Sequence, residues 1–239
     1  MADSISVDKW LDFWKYYEGL SNQELAVREL FEDIPTSLKL EGSAWITQYR
    51  EPEPEPEVPD LSNPLQVPYQ SQRDNASGTG YRECFSSSCA MVAMYWGKIE
   101  NDDAYNKVRE QFGDSTDAQA QVRALRSLGL AAEFKTCGTV DDLKHQISIG
   151  RPTPVGWLHK GALPGTGGGH YCVIRGYDQS GFWYVNDPYG DCDLVNGGYP
   201  GSTNGDNLHY SFKNWNPRWE VDGPGTGWYV DIWDPTVKK

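Results

Sequence analysis

The sequence lacks any long apolar run and any excess of basic residues. Its 239 residues contain no apolar stretch of about eighteen residues, so no transmembrane helix is expected. Lysine and arginine number 21 against 34 acidic residues, which gives a formal net charge of −13. Because a surface this acidic repels phosphate backbones, the sequence predicts no nucleic-acid partner.

The beginning of the chain and its cysteines set two further limits. The start, MADSISVDKWLDF, has no basic stretch followed by an apolar one, so we expect no secretory signal and synthesis into a cytoplasm. The five cysteines include no Cys-x-x-Cys pair, and their odd number leaves at least one free thiol. The sequence therefore predicts no structural zinc site, and no other metal or cofactor is expected.

A segment of alternating glutamate and proline divides the chain. Residues 51–60, EPEPEPEVPD, can join neither a helix nor a sheet and are typical of an extended spacer. Before it, apolar residues at nearly helical spacing predict a small helical segment. We therefore expect a helical docking or accessory segment at 1–50, a linker at 51–64 and a larger domain at 65–239.

The larger region has the pattern of helices followed by strands. Apolar residues nearly all round predict a buried helix over Phe85–Lys98, and residues 101–128 form a polar helical stretch. A short helix is expected over Val140–Ser148, with Thr139 as its cap. Strands are predicted over Ala131–Lys135, Thr153–Leu158, Tyr171–Tyr177, Phe182–Asn186 and Gly227–Trp233. This order indicates an α+β fold with an antiparallel sheet.

Three residues of this region follow the order that a thiol-dependent active site needs. Cys84 stands at the start of the buried helix, where free backbone N–H groups favour negative charge and can bind an oxyanion. His170 follows three glycines and opens a strand. The turn DQSG folds the strands 171–177 and 182–186 into a hairpin, which places Asp187 beside His170. The set predicts Cys84 as nucleophile, His170 as general base and Asp187 as the residue that orients His170.

Several separated motifs carry a resemblance to a known family. CFSSSCAM at 84–91 resembles the nucleophile motif of C39-like cysteine peptidases, usually Cys-Gly-x-x-Ser-x-Ala-Met. VPYQSQRDN at 67–75 resembles the segment that leads into their domain, and DDLKHQISIGRPTPVGW is similar to the stretch before their histidine. GGHYCVIRGYD and FWYVNDPYG resemble their histidine and aspartate motifs. The resemblance covers about residues 65–190 and implies a papain-like fold with peptidase activity.

The resemblance also implies a donor to the oxyanion. In the family a glutamine upstream of the cysteine has this role, and Gln72 matches its position, with Gln70 as the lesser candidate. Phe85 stands where the family usually has glycine, and a bulky ring there is expected to narrow the cleft or reshape the oxyanion loop. The spacing from Gln72 to Cys84 is long, so the intervening loop must fold back.

The expected activity is peptide-bond hydrolysis, and the substrate stays open. A helical head, a Glu-Pro spacer and no export signal resemble phage or bacterial wall-lytic enzymes. Such an enzyme would cut peptidoglycan stem peptides at the cell wall or in a virion, and its helical segment would dock on the wall or on a larger particle. Processing of other peptides or proteins is the second substrate type. The alternative is a non-catalytic binding or virion assembly module on a peptidase-like fold.

Overall fold

A computed structural model of the chain describes residues 63–163 and 165–237. The predicted helical segment 1–50 and nearly all of the linker 51–64 lie outside the described residues. Within the described ranges, no helix is long and apolar enough to cross a membrane.

The described residues form one sheet and five α-helices. The helices are α1 (Cys84–Tyr95), α2 (Asp102–Arg109), α3 (Ala118–Ser127), α4 (Val140–Ser148) and α5 (Phe212–Trp219). The strands are β1 (Ala131–Gly138), β2 (Thr153–Lys160), β3 (Gly167–Tyr177), β4 (Phe182–Asn186), β5 (Leu208–Ser211) and β6 (Gly227–Trp233). All strand pairs are antiparallel, and the spatial order is β1-β6-β2-β3-β4-β5. The α+β prediction is confirmed.

Helix α1 lies in the core, where it contacts β3 and β2. Every residue over Phe85–Ala93 is buried, as the apolar pattern predicted. Two buried serines tie the helix to its neighbours: Ser86 Oγ accepts a hydrogen bond from the Gln121 amide of α3 at 2.9 Å, and Ser87 Oγ donates to Asp102 Oδ2 of α2 at 2.6 Å. These bonds fix α1, and with it the position of its first residue, relative to the other helices.

The predicted helical stretch 101–128 is two helices instead of one. The second of these helices, α3, begins after Asp117, which caps it: the Asp117 side chain accepts a hydrogen bond from the backbone N–H of Gln119 at 2.8 Å. Just before it, Gly113 adopts a φ of 148°, which side-chain-bearing residues rarely adopt. Local turn chemistry therefore overrides the helical composition of this stretch.

Several elements of the second half differ from the expectation. Helix α5 and strand β5 form where the sequence analysis predicts no element, and α5 buries Trp215 and Trp219 although Pro217 lies within it. Strand β3 begins at Gly167, because the pairing with β2 extends to Lys160. His170 consequently lies inside a strand and not at its opening, which gives its backbone a partner on the neighbouring strand.

Phe85 fills the core and does not narrow the cleft. Its side chain is 1% exposed, and its ring stacks on Tyr171 with 3.6 Å between ring centroids and 4° between the planes. The ring of Phe134 lies 6.5 Å away. The ring that replaces the family's usual glycine is thus turned away from solvent, and the expectation of a narrowed cleft is wrong.

Replacement of Phe85 by alanine is expected to lower the free energy of unfolding by about 3–5 kcal/mol. The change removes a fully buried ring together with one partner of an aromatic stack. Denaturant unfolding measures it, with Tyr81→Ala as the control. Tyr81 is 75% exposed, so its loss should change stability by no more than about 0.5 kcal/mol. An equally small change for Phe85→Ala would contradict the packing described above.

Candidate active site

Cys84 is the first residue of α1, and its thiol is partly exposed. Glu83 precedes it and makes no side-chain capping bond to the helix, although its backbone carbonyl accepts from the N–H of Ser87 at 2.9 Å. The N–H groups of the first turn have no partner within a helix and carry the positive end of its dipole. Cys84 therefore occupies a position that favours negative charge on sulfur and on an adjacent oxyanion.

The hairpin of β3 and β4 brings His170 and Asp187 into contact. His170 Nε2 lies 2.7 Å from Asp187 Oδ1, and the two residues are 4% and 0% exposed. The pairing of Val173 with Asn186 aligns the two strands so that the residue after β4 reaches the histidine. Because Nε2 faces Asp187, Nδ1 is the ring nitrogen left for Cys84, which is close enough to act electrostatically on the ring.

The carboxylate of Asp187 accepts hydrogen bonds on both oxygens. Oδ1 also accepts from the backbone N–H of Tyr189 at 2.9 Å. Oδ2 accepts from the hydroxyl groups of Tyr199 and Tyr210, each at 3.1 Å. Three donors besides His170 thus satisfy a fully buried carboxylate and fix the direction in which Oδ1 points.

The electrostatics of this cluster favour a charged His170. Burial by itself lowers the pKa of His170, because it disfavours the charged ring, but the negative charges of Asp187 and Cys84 outweigh burial and raise the pKa to about 10. An imidazolium beside Cys84 is what stabilises a thiolate nucleophile at neutral pH. The site can therefore hold the thiolate and imidazolium pair that nucleophilic cysteine chemistry uses.

Gln72 lies between the aspartate loop and the residues that precede Cys84. It begins the short 3₁₀ helix Gln72–Asp74 and is 1% exposed. Its backbone N–H donates to the carbonyl of Pro188 at 2.9 Å, and its side-chain Nε2 donates to the carbonyl of Gly80 at 2.6 Å. Nε2 carries a second hydrogen, for which the described part of the chain shows no acceptor. The loop between Gln72 and Cys84 does fold back.

Gln70 has a different place. Its Nε2 donates to the carbonyl of Tyr69 at 2.8 Å, and its Oε1 accepts from the backbone N–H of Asp102 at 3.3 Å. Its amide is thereby occupied at the start of α2. Of the two glutamines, the geometry favours Gln72 as a donor to the site.

Sequence reasoning missed three aromatic side chains that contact the His170–Asp187 pair. Tyr199 and Tyr210 come from the long region after Asp187, where no short-range pattern links them to the carboxylate. His159, one residue beyond the predicted strand Thr153–Leu158, lies in β2 with its ring centroid 5.5 Å from that of His170. Strand register could have found it, because Trp157 pairs with His170 and side chains two residues apart share a face.

His159 differs electrostatically from its neighbour. Burial and then the positive charge of His170 lower the pKa of His159 to about 4. It is therefore neutral at neutral pH and adds no second positive charge beside Cys84.

The histidine, cysteine and acidic residues of the described ranges form no cluster of the kind that binds a metal ion. Over residues 63–163 and 165–237, no group of three or more histidine, cysteine or acidic residues could hold a metal ion. All five cysteines are free thiols, and three of them, Cys89, Cys172 and Cys192, are buried. Burial raises the pKa of Cys89 and Cys172, which leaves both as neutral thiols at neutral pH.

The chain matches the Peptidase_C39 like family over residues 64–211. Among solved structures, a protein from Bacillus anthracis described as a C39-like peptidase is 17% identical, with a TM-score of 0.50 and coverage of 73% of this chain and 96% of that one. The double glycine motif protease of an AMS/PCAT transporter, solved with a leader peptide, is 20% identical, with a TM-score of 0.44 and coverage of 72% and 94%. No curated protein sequence matches the chain.

Proposed function

Because the chain belongs to the C39-like peptidase family and has its papain-like α+β fold, we propose that it hydrolyses peptide bonds with Cys84 as nucleophile. His170 acts as general base and acid, and Asp187 orients it. The observation that carries this proposal is the cluster itself: a buried His170 bonded to Asp187 at 2.7 Å through Nε2, with Cys84 close enough to raise the pKa of the ring.

The proposed reaction has two halves. The Cys84 thiolate attacks the carbonyl carbon of the substrate, and the oxyanion that forms accepts from the Gln72 amide and the first-turn N–H groups of α1. His170 gives its Nδ1 proton to the leaving amine as the C–N bond breaks, which leaves a thioester on Cys84. Water then attacks the thioester while His170 takes its proton, and the carboxylic acid product leaves with the thiolate restored.

Two substrate types fit this chemistry, and we favour peptidoglycan stem peptides over processing of other peptides. The support is the modular sequence, with a predicted helical segment at 1–50 and a Glu-Pro linker at 51–64 before the proposed catalytic domain, a layout that suits docking on a cell wall or a larger particle. Incubation with purified sacculi should release new amino groups in the wild type and none in Cys84→Ala. No release from sacculi, with casein cut instead, would contradict the peptidoglycan assignment.

The alternative, a non-catalytic binding or assembly module, would gain support if the Phe85 ring in the nucleophile motif covered Cys84. Since the Phe85 ring is 1% exposed and packs on Tyr171, it does not cover Cys84. That alternative thereby loses its one specific support.

Labelling with iodoacetamide, followed by intact mass, tests the proposed nucleophile. At pH 7 the wild type is expected to take up one label rapidly, and Cys84→Ala none on that timescale. Cys137→Ala is the matched control, because Cys137 is the exposed free thiol of the described residues and lies away from His170 on β1. Slow labelling spread over several cysteines, unchanged in Cys84→Ala, would show that Cys84 is not activated.

A further inference from the structure

Glu83, directly before the nucleophile, is a buried carboxylate that the reaction above does not use. It is 2% exposed. Four side chains donate to it: Asn75 at 2.6 Å, Thr79 at 2.7 Å, Ser77 at 2.9 Å and Asn106 at 3.3 Å. Three of the four belong to the loop that precedes it, and the fourth lies on α2.

These contacts keep Glu83 ionised. Burial raises the pKa of Glu83, but the hydrogen bonds from Asn75, Thr79 and Ser77 and the charge of Arg109 outweigh burial and lower it below the ordinary value. A negative charge beside a thiolate is unfavourable in itself, because like charges repel. The benefit of a carboxylate at this position must therefore come from the groups that Glu83 holds in place.

Glu83 holds the loop that ends against Gln72. The loop residues on the carboxylate, 75 to 79, lead into Gly80, whose carbonyl accepts both from Gln72 Nε2 at 2.6 Å and from the backbone N–H of Glu83 at 3.1 Å. Gly80 permits this approach because a Cβ at that position would collide with the backbone oxygen of Gln72. The side chain and the backbone of Glu83 thus both fix the Gly80 carbonyl.

The Gly80 carbonyl in turn orients the side-chain amide of Gln72. Within the described part of the chain, the other end of that amide, Oε1, is buried without a hydrogen-bond partner. Its single side-chain anchor is therefore the bond from Nε2 to Gly80. If the loop moved, the Gln72 amide would lose the one hydrogen bond that fixes its orientation.

We propose that Glu83 is a positioning residue for the oxyanion donor: it fixes the loop 75–80, the loop fixes the Gly80 carbonyl, and that carbonyl orients the Gln72 amide. The inference rests on the proposed function, because an oxyanion forms only if Cys84 attacks a carbonyl group. Glu83 itself touches neither the reacting atoms nor His170.

Two reagents separate this role from activation of the thiol. With p-nitrophenyl acetate, the Cys84 thiolate attacks the ester carbonyl through an oxyanion, p-nitrophenolate leaves, and an S-acetyl group remains. With iodoacetamide, the thiolate displaces iodide at a saturated carbon and no oxyanion forms. Glu83→Gln in the full chain is expected to slow acetylation of Cys84 by about 10- to 10²-fold. Alkylation should not slow, because the change removes a negative charge beside the sulfur.

A double-mutant cycle shows whether Glu83 acts through Gln72. In a Gln72→Ala background, Glu83→Gln is expected to cause little further loss of acetylation, since the amide to be positioned is gone. The matched control is Glu110→Gln, an exposed glutamate after α2, which should leave both rates unchanged. An equal loss in both backgrounds, or no loss in the wild-type background, would overturn the proposal.

Two further outcomes keep the test decisive. If circular dichroism shows that Glu83→Gln does not fold, Thr79→Val is used to test the proposal instead. It removes one donor to Glu83 from an exposed residue and should slow acetylation several-fold with alkylation intact; unchanged acetylation would refute the proposal. Slow alkylation of wild-type Cys84 that does not depend on His170 would instead refute the proposed function, which is a separate result.

Discussion

Replacement of His170 by alanine is expected to lower peptide hydrolysis by at least about 10³-fold. In the proposed mechanism, the change removes the imidazolium that stabilises the Cys84 thiolate and the proton that the leaving amine needs. Alkylation of Cys84 by iodoacetamide at pH 7 should slow as well, because it depends on the thiolate even though it needs no general acid. The two rates together distinguish loss of the base from loss of substrate binding, which would spare alkylation.

His159 and His209 provide the controls for this substitution. His159 lies beside His170 at 5.5 Å between ring centroids, but its pKa is lowered to about 4, so it has no proton to give at pH 7. His159→Ala is therefore expected to retain most of the alkylation rate. His209 is exposed on β5, and His209→Ala should behave as the wild type. A loss in His159→Ala equal to that in His170→Ala would contradict the assignment of the base.

Local rules were sufficient to predict much of the fold. Helix α4 has the predicted bounds, because Thr139 and Asp142 form the reciprocal capping box that fixes its first turn. Strands β4 and β6 also match, since short apolar runs between turn residues specify them. In each case the information lies within a few residues, which makes it readable from a single sequence.

The details of the site depend on contacts that are distant along the chain. Nothing near Asp187 in sequence indicates that Tyr199 and Tyr210 donate to its second oxygen, because the connecting loop has no periodic pattern. Glu83 reads as one more polar residue before a helix until the fold places the loop and Asn106 around it. The sequence was sufficient to single out Cys84, His170 and Asp187, whereas the groups that surround them could not be read from it.

Replacement of Asp187 by asparagine is expected to lower peptide hydrolysis at pH 8 by about 10²- to 10⁴-fold. Asparagine keeps an oxygen for the N–H groups of His170 and Tyr189, and the hydroxyl groups of Tyr199 and Tyr210 can turn to accept from its amide. The fold should therefore survive. The substitution removes the negative charge of Asp187. Because only Cys84 then opposes the effect of burial, the pKa of His170 falls from its raised value.

The pH at which the rate of Cys84 alkylation changes shows whether Asp187 raises the pKa of His170. In the wild type the His170 pKa is raised to about 10, so the imidazolium persists through neutral pH and alkylation changes on the alkaline side only as that pKa is passed. In Asp187→Asn the same change should occur at a clearly lower pH, and activity should recover partly on acidification. Asp206→Asn, at an exposed aspartate, should keep the wild-type profile.

The charge of Asp187 also stabilises the folded protein, over a pH range that the unfolded and folded pKa values of His170 define. A histidine whose pKa is raised on folding stabilises the folded state fully below its unfolded pKa of about 6.5, and this contribution is lost as pH rises to about 10. Asp187→Asn should remove that slope from the unfolding free energy between these limits. Asp187→Ala should in addition destabilise the protein at every pH, because it leaves the donors of Tyr189 and Tyr199 unpaired at about 1–3 kcal/mol each, whereas the Tyr210 hydroxyl keeps the Gly190 carbonyl as an acceptor. If Asp187→Asn kept both the wild-type slope and the wild-type alkylation profile, Asp187 would not be the group that holds the proton on His170.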